Sequence, residues 1–136
     1  MSNKKLDFDL FKKKGLKLTR QRKLLSKILF SGENRHFTAE EIKKIVLKEG
    51  SRMSLATIYN NLHNLVEAGL LKKRQVDNNK SYFDNNVTDH YHLFDKEKNT
   101  LIDIPNSEIK FSKLPKIPKN KKVTNIHLVI NIEKFR

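Results

Sequence analysis

The sequence predicts an α+β fold, with helices in the earlier part of the 136 residues and strands in the later part. Two observations predict it. Up to Gly69 the apolar residues recur at helical spacing, whereas beyond it short runs alternate apolar and polar residues, as β-strands do. A chain of this length holds one domain, or two small domains with modest cores.

The composition is strongly basic and lacks cysteine. The chain has 29 Lys and Arg against 15 Asp and Glu, a net charge of +14, which favours a polyanionic partner. A chain rich in Lys and Asn can also reflect AT-biased coding. The absence of cysteine excludes disulfides, thiolate zinc sites and cysteine nucleophiles. Without a transmembrane-length apolar run or a signal peptide, we expect a cytoplasmic protein with no membrane partner.

Two basic helices are predicted at the start of the chain. The first runs from Asp7 to Lys14 and ends at Gly15. The second runs from Thr19 to Ser31, with its threonine as N-cap and an apolar stripe facing a core. Its first turn carries Arg20 and Arg22, which the helix dipole disfavours unless a DNA phosphate binds at that end. Two solvated arginines are the alternative interpretation.

The third helix has a complete local start signal. Thr38 and Glu41 match a capping box, and Phe37 with Ile42 matches a hydrophobic staple. Gly50 ends the helix. A short turn then leads to a fourth helix, so the pair predicts a helix-turn-helix unit.

The fourth helix, Ser54 to Gly69, is predicted to be the recognition helix. Its inward stripe is apolar, and its opposite face carries no charge, which is unusual in so basic a chain. That outer face consists of Ala56, Thr57, Asn60, His63 and Asn64, with Tyr59 on its flank. Short amides, hydroxyls and a tyrosine are groups that read base edges and thymine methyls in the major groove. An ordinary amphipathic helix with a polar back is the alternative.

After Gly69 the sequence predicts a β-hairpin with a D-N-N turn, which completes a winged helix over residues 1–84. Lys72, Lys73, Arg74 and Lys80 are expected to place cations on this wing. The residues predicted to contact bases or phosphates are Lys17, Arg20, Arg22, Thr57, Tyr59, Asn60, Asn64 and Lys80.

The remainder of the chain is predicted to be a hinge followed by a strand-rich domain. Asn85 to Asp89 is polar and aperiodic, so we expect a hinge at 85–89 and a second domain at 90–136. Two short strands are predicted first, and the second of them ends at Pro105. One long strand is then predicted over residues 123–135. Three strands with so little helix are marginal alone, so pairing with a second copy of the chain is expected.

Four motifs in this order carry a family resemblance: L-K-L-T-R-Q-R, R-H-F-T-A-E-E, S-L-A-T-I-Y-N-N-L and N-K-S-Y-F-D. From about Lys4 onward the chain resembles the ferric uptake regulator family. Its D-H-Y-H and L-I-D-I-P segments resemble the iron-response regulator branch. The resemblance implies a homodimer with an N-terminal winged helix and a small C-terminal α/β dimerisation domain that has a three-stranded sheet. It also implies transcriptional regulation of iron and haem homeostasis, as a repressor or activator, through double-stranded inverted-repeat operators.

The chain departs from the family pattern in two places. The C-x-x-C zinc pairs of many relatives are absent, and Asp95 and Lys98 stand where the first pair would be. The broader family usually has Arg after the Tyr of A-T-x-Y, whereas this chain has Asn60, as the iron-response branch does.

Histidines indicate a metal site. His90 and His92 alternate along a strand, so both imidazoles lie on one side and Tyr91 on the other. The resemblance implies that His36 and Asp84 join them to bind one divalent metal per subunit, which for these ligands is zinc, iron or manganese. Surface histidines without a metal are the alternative.

The iron-response branch further implies haem as a signal, and a haem-donating protein as a partner. Its histidine run corresponds here to His90, Tyr91 and His92, and both residue types can ligate haem iron. A second metal site at Asp89, Tyr91 and Asn125 is not predicted, because those residue types bind first-row metals poorly.

Three other functions compete with this interpretation. An enzyme is not expected, because the His and Asp residues lack a further general base or nucleophile set. A winged-helix regulator that responds to a non-metal signal or a partner protein is the main alternative. A non-specific nucleic-acid coat would also fit the net charge of +14.

Overall fold

The computed structural model describes residues 8–31, 33–77, 79–88 and 90–135. The chain divides into two compact units, Met1–Val87 and Thr88–Arg136. The start of the first helix predicted at Asp7 and the end of the hinge predicted at Asp89 lie outside the described residues. The hinge predicted at 85–89 stays a prediction.

The first unit has four helices in its described residues, and the last three of them begin where the sequence indicated. The four are α1 Phe8–Lys13, α2 Arg20–Leu29, α3 Ala39–Lys48 and α4 Leu55–Glu67. The hydroxyls of Thr19, Thr38 and Ser54 each accept a hydrogen bond from the backbone N–H three residues later. The capping box at α3 is complete, because Glu41 accepts in return from the backbone of Thr38 at 3.1 Å. These three predicted helix starts are therefore confirmed.

The apolar stripes of α2, α3 and α4 form the core of the first unit. Leu25, Leu29, Ile42, Ile58 and Leu62 are each fully buried, and Phe37 and Phe83 join them from the strands. Burying a leucine or isoleucine side chain contributes about 1.5–3 kcal/mol. The three helices therefore fold on one another as the periodicity predicted.

The wing contains one strand more than the predicted hairpin. The strands are β1 His36–Phe37, β2 Lys72–Asp77 and β3 Lys80–Asp84. They form an antiparallel sheet in the order β1-β3-β2, in which His36 lies opposite Asp84. β1 was not predicted from the sequence, because two residues are too few to show a period of two.

Arg74 corrects the predicted set of wing cations. Its side chain is buried, and its Nε donates to Asp84 Oδ2 at 3.5 Å while Nη2 donates to the carbonyl of Asn86 at 3.3 Å. A buried guanidinium needs such partners, because an unpaired buried charge is strongly unfavourable. Arg74 therefore belongs to the interior of the wing and does not present a charge on its surface.

Asn85, assigned from the sequence to the hinge, is fully buried in the first unit. Its Nδ2 donates to the carbonyls of Leu29 at 2.7 Å and Glu33 at 2.8 Å. Its Oδ1 accepts from the backbone N–H of Arg35 at 2.8 Å, and its own N–H donates to the Arg35 carbonyl at 3.1 Å. One amide thus ties the end of α2, the following loop and β1 to the end of β3.

The second unit is a three-stranded sheet, as predicted. Its strands are β4 His90–Asp95, β5 Thr100–Pro105 and β6 Val129–Ile132, in the order β5-β4-β6. β5 runs antiparallel to β4 and β6 runs parallel to it. A single-turn 3-10 helix at Asn106–Glu108 follows β5. No helix in the described part of either unit combines the length and apolar character needed to cross a bilayer.

The long final strand predicted over 123–135 is wrong in length. Only Val129–Ile132 pairs with β4, and residues 123–128 adopt no regular secondary structure. The register explains the difference, because Val129 lies opposite His92, and the parallel strand β4 has only two residues before that point and three beyond it. Alternation alone could not show where the partner strand ends.

The burial of Asn85 generates a stability prediction. Asn85→Ala should lower the free energy of unfolding by about 2–4 kcal/mol, because it leaves buried backbone groups without hydrogen-bond partners. Denaturant unfolding of the full chain measures this. The exposed Asn125→Ala variant is the matched control and should remain within about 0.5 kcal/mol of the parent. Equal stabilities for the two variants would contradict the role of Asn85.

Candidate metal centre and nucleic-acid interface

Two buried histidines and a carboxylate converge on one face of the sheet in the second unit. His90 and His92 lie on the same side of β4, with 8% and 2% of their surfaces exposed. β5 brings Asp103 directly opposite His92. The candidate ligand atoms of these three side chains lie within 4.8 Å of one another.

The geometry of this His–His–Asp cluster suits a cation. Asp103 Oδ1 lies 3.2 Å from His92 Nε2 and 3.6 Å from His90 Nε2, and the two imidazole centroids are 4.5 Å apart. His90 Nδ1 lies 2.8 Å from the carbonyl oxygen of Thr88. Because a carbonyl only accepts, Nδ1 donates to it, and in a neutral imidazole Nε2 would then face the carboxylate with its lone pair. A cation placed between the imidazole nitrogen and the carboxylate oxygen would bind both, so the residues fit a divalent metal.

Asp103 was missed from the sequence, although a signal for it exists. Asp95 pairs with Thr100 across the β4–β5 turn. Three residues further from the turn on each strand, His92 lies opposite Asp103. A hairpin register derived from the four-residue turn at residues 96–99 would therefore have found this third candidate ligand.

The other two predicted ligands lie in the first unit and face each other across β1 and β3. The His36 ring packs edge-on against Tyr82 at 5.4 Å between centroids. Asp84 is fully buried, and its Oδ1 accepts a 2.9 Å hydrogen bond from the backbone N–H of Asn86. The structure thus pairs these two residues within their own unit.

Tyr91 lies on the opposite side of β4 from the histidines. Its ring meets that of Phe111 at 5.8 Å in an edge-on arrangement. The run His90-Tyr91-His92 therefore presents two potential ligands on one face rather than three.

The outer face of α4 carries the uncharged groups that the sequence indicated. Asn60 is exposed, and Thr57 and Asn64 are half-buried. The Thr57 hydroxyl accepts from Ser54 Oγ at 2.9 Å, so the first turn of the helix is ordered by its own cap.

Tyr59 is half-buried beside the wing. Its ring lies 6.0 Å from that of His63 and 6.2 Å from that of Phe83. Burial, with a smaller contribution from the charge of Glu40, raises the pKa of the Tyr59 phenol above its usual value of 10. The hydroxyl therefore stays protonated at neutral pH and remains a hydrogen-bond donor.

Arg22 differs from the other predicted phosphate contacts because the fold already uses its guanidinium. Its Nε donates to Asn61 Oδ1 at 3.2 Å, and its Nη1 donates to the Lys17 carbonyl at 2.6 Å. Asn61 in turn donates to the Thr57 carbonyl at 3.0 Å within α4. Arg22 thus joins the first turn of α2 to α4, and its partner there is Asn61, which was not predicted.

The remaining predicted cations lie at the surface of the first unit. Lys17 and Arg20 are exposed. Lys80 is half-buried, with its Nζ above the Tyr82 ring at 5.3 Å. The side-chain ammonium groups and guanidinium are suited to phosphate contacts.

Comparison with known proteins agrees with these features. The profile described as the ferric uptake regulator family matches residues 13–132. The chain is 37% identical over 82 residues to the ferric uptake regulation protein of Haemophilus influenzae, which covers 60% of this chain and 56% of that protein. It is 33% identical over 92 residues to the peroxide-responsive repressor PerR of Staphylococcus epidermidis, which covers 68% of this chain and 61% of that protein. The matches thus span less than two thirds of these relatives.

The fold is also similar to that of a solved structure, the ferric uptake regulator from Pseudomonas aeruginosa with manganese. The TM-score is 0.72 at 25% identity, and the similarity covers 94% of this chain and 97% of that chain. The predicted layout of a winged-helix unit followed by a small sheet domain is therefore confirmed.

The contacts of Arg22 separate it from Arg20 in a stability measurement. Arg22→Ala should lower the free energy of unfolding by about 1–2 kcal/mol, because it removes side-chain hydrogen bonds that join α2 to α4. Arg20→Ala changes an exposed side chain and should stay within about 0.5 kcal/mol of the parent. If denaturant unfolding ranks the two variants equally, Arg22 does not hold the recognition helix.

Proposed function

Because the chain belongs to the ferric uptake regulator family, we propose that it is a metal-responsive, DNA-binding transcriptional regulator that acts as a homodimer. The observation that carries this proposal is the convergence of His90 and His92 on Asp103. The charge of α4 is that of Glu67, exposed in the last turn, and the residues that would read bases are uncharged. The chain would therefore combine a metal sensor with a reader of bases. We propose no catalytic role.

The metal half of the proposal starts from residues of the second unit. His90, His92 and Asp103 would hold the ion through two imidazole nitrogens and a carboxylate oxygen. The cation would supply a positive charge and coordination bonds of defined direction. Such ligands suit zinc, iron or manganese, and the Pseudomonas aeruginosa relative was solved with manganese. His36 and Asp84, taken from the sequence prediction, are retained in the proposal as additional ligands.

The switch follows from thermodynamic linkage. Ligands drawn from residues before and after the predicted hinge would hold a cation best in one arrangement of the chain. If that arrangement suits DNA, metal and DNA strengthen each other's binding by the same factor. Couplings of this kind are typically about 1–3 kcal/mol, and differential affinity sets their limit.

The DNA half assigns different work to two sets of residues. Thr57, Tyr59, Asn60 and Asn64 would read base edges in the major groove, since they offer donors and acceptors without net charge. Lys17, Arg20 and Lys80 would bind phosphates and set the register on the duplex. A homodimer would place two recognition helices on an inverted repeat.

Iron as the regulated nutrient, and haem as a second effector with a haem-donating partner, come from the resemblance to the iron-response branch and remain predictions. His90 and His92 are the haem ligands in that prediction, whereas the contact of Tyr91 with Phe111 weakens the case for Tyr91. The alternative function is a winged-helix regulator that responds to a non-metal signal or a partner protein. Equilibrium dialysis with zinc, manganese and iron(II) distinguishes the two.

The cluster generates a prediction about metal and DNA together. Asp103→Asn should weaken metal binding by about tenfold or more, because it removes the only anionic group of the His–His–Asp cluster. At metal concentrations that just saturate the parent, it should also reduce the strengthening of DNA binding by metal. Metal titration and fluorescence anisotropy, with fragments selected from a random duplex library, measure both effects.

The matched control is Glu97→Gln, which neutralises an exposed carboxylate of the same unit. It should behave as the parent does. If Asp103→Asn responds to metal like the parent, Asp103 is not a ligand. If neither the parent nor the variants bind metal, the alternative regulator is favoured.

The proposed function also generates a prediction about base reading by Tyr59. Tyr59→Phe keeps the ring packed against Phe83 and removes only the hydroxyl donor. It should cost about 1–3 kcal/mol at one base pair of the selected DNA and leave binding to random duplex unchanged. Tyr91→Phe, which removes a phenol from the second unit, is the control. Equal losses on selected and random DNA would show that the Tyr59 hydroxyl does not read a base.

A further inference from the structure

Residues 110–122, here called the lysine segment, repeat with a period of three. Lysines stand at 110, 113, 116 and 119, apolar residues at 111, 114 and 117, and Ser or Pro at 112, 115 and 118. Lys121 and Lys122 follow, which brings the segment to six lysines without an acidic residue. The lysine segment contributes no residue to the predicted recognition helix or to the His–His–Asp cluster.

The structure is consistent with an extended, proline-directed conformation. Residues 109–128 form neither helix nor strand. Proline fixes its own φ and pushes the preceding residue towards the extended region, which here affects Leu114 and Ile117. The repeat ends in a turn, where Lys121 N–H donates to the Pro118 carbonyl at 3.2 Å and Asn120 has a left-handed φ of 66°.

A polyproline II helix repeats every three residues, so the lysines at 110, 113, 116 and 119 would share one edge and the apolar residues another. The apolar edge is partly covered, with Phe111 41%, Leu114 46% and Ile117 39% exposed. Phe111 packs against Tyr91 of β4. One end of the apolar edge therefore packs against the sheet of the second unit through Phe111, and the lysines are exposed to solvent.

We propose that the lysine segment is a second, sequence-independent binding surface for a polyanion, and that its ligand is the phosphate backbone of duplex DNA. This surface lies in the second unit and goes beyond the proposed function, because it requires neither an operator nor a metal. Nine steps at 3.1 Å give the row of four lysines a length of about 28 Å. Duplex DNA carries one charge per about 1.7 Å of axis, so such a row faces many phosphates.

Two physical arguments favour this ligand. Clustered cations repel one another, and a polyanion relieves that repulsion. The prolines also stiffen the segment before binding, which lowers the entropy lost when it is ordered on a partner. An anionic membrane surface is less suitable, because interfacial segments insert an apolar face and this one is partly covered by the chain itself.

The test uses the full chain and a random-sequence duplex, with anisotropy measured over a range of salt concentrations. Lys113→Gln/Lys116→Gln should weaken binding by on the order of tenfold at 0.1 M salt and lower the salt slope by about one unit per lost phosphate contact. Replacing all four lysines at 110, 113, 116 and 119 should have a larger effect. These residues are exposed, so the fold should be retained.

The matched control is Lys96→Gln/Lys98→Gln, which removes the same charge from the exposed β4–β5 turn. It should change the slope much less than the lysine-segment variant does. Equal effects of the two pairs would mean that only net charge matters, and unchanged slopes for the lysine-segment variants would exclude the contact. If the variants lose binding to phosphatidylserine vesicles but not to DNA, the surface binds membranes instead.

Failure of the lysine-segment proposal can be distinguished from failure of the proposed function. If the chain has no operator, selected and random duplexes bind equally for every variant, yet the comparison between the two lysine pairs on random duplex is unaffected. If the lysine segment does not bind, preference for selected DNA and its response to metal are unaffected.

Discussion

The buried side-chain amide of Asn85 is the constraint on which the geometry of the first unit depends. Leu29 ends α2, where carbonyls have lost their helical partners, and Asn85 donates to one of them. The same amide accepts from Arg35, the residue before the short strand β1. Two residues form too few ladder hydrogen bonds to hold a register. The pairing of His36 with Asp84 therefore rests on this amide as much as on the strand itself.

Features encoded within a few residues were predictable from the sequence. Thr19, Thr38 and Ser54 start their helices because each hydroxyl caps a backbone N–H three residues on. Gly50 and Gly69 end helices with φ values of 81° and 79°, a conformation that costs other residues energy. The apolar stripes then determine which faces of the helices pack against one another. The helices, the hairpin and the histidine pair on β4 followed from such local signals.

Features set by distant partners were not predictable in the same way. Arg22 finds Asn61, which is 39 residues away in the sequence, and so becomes part of the fold rather than a free cation. Asp103 joins the His–His–Asp cluster only through the register of β4 with β5. The last strand is short because its parallel partner β4 is itself short on both sides of the paired residues. In each case a single segment looks the same with or without the partner, so periodicity alone cannot decide.

The arginine and lysine side chains of this chain have different roles, because a guanidinium and an ammonium group differ in geometry. The planar guanidinium groups of Arg22 and Arg74 make directed hydrogen bonds inside the first unit, where a lysine ammonium could not match their geometry. The many exposed lysines are left as compact charges suited to phosphates rather than to bases. In the proposed function, base reading rests on the uncharged groups of α4. Asn60 stands where the broader family usually has Arg, and an asparagine suits adenine as an arginine suits guanine.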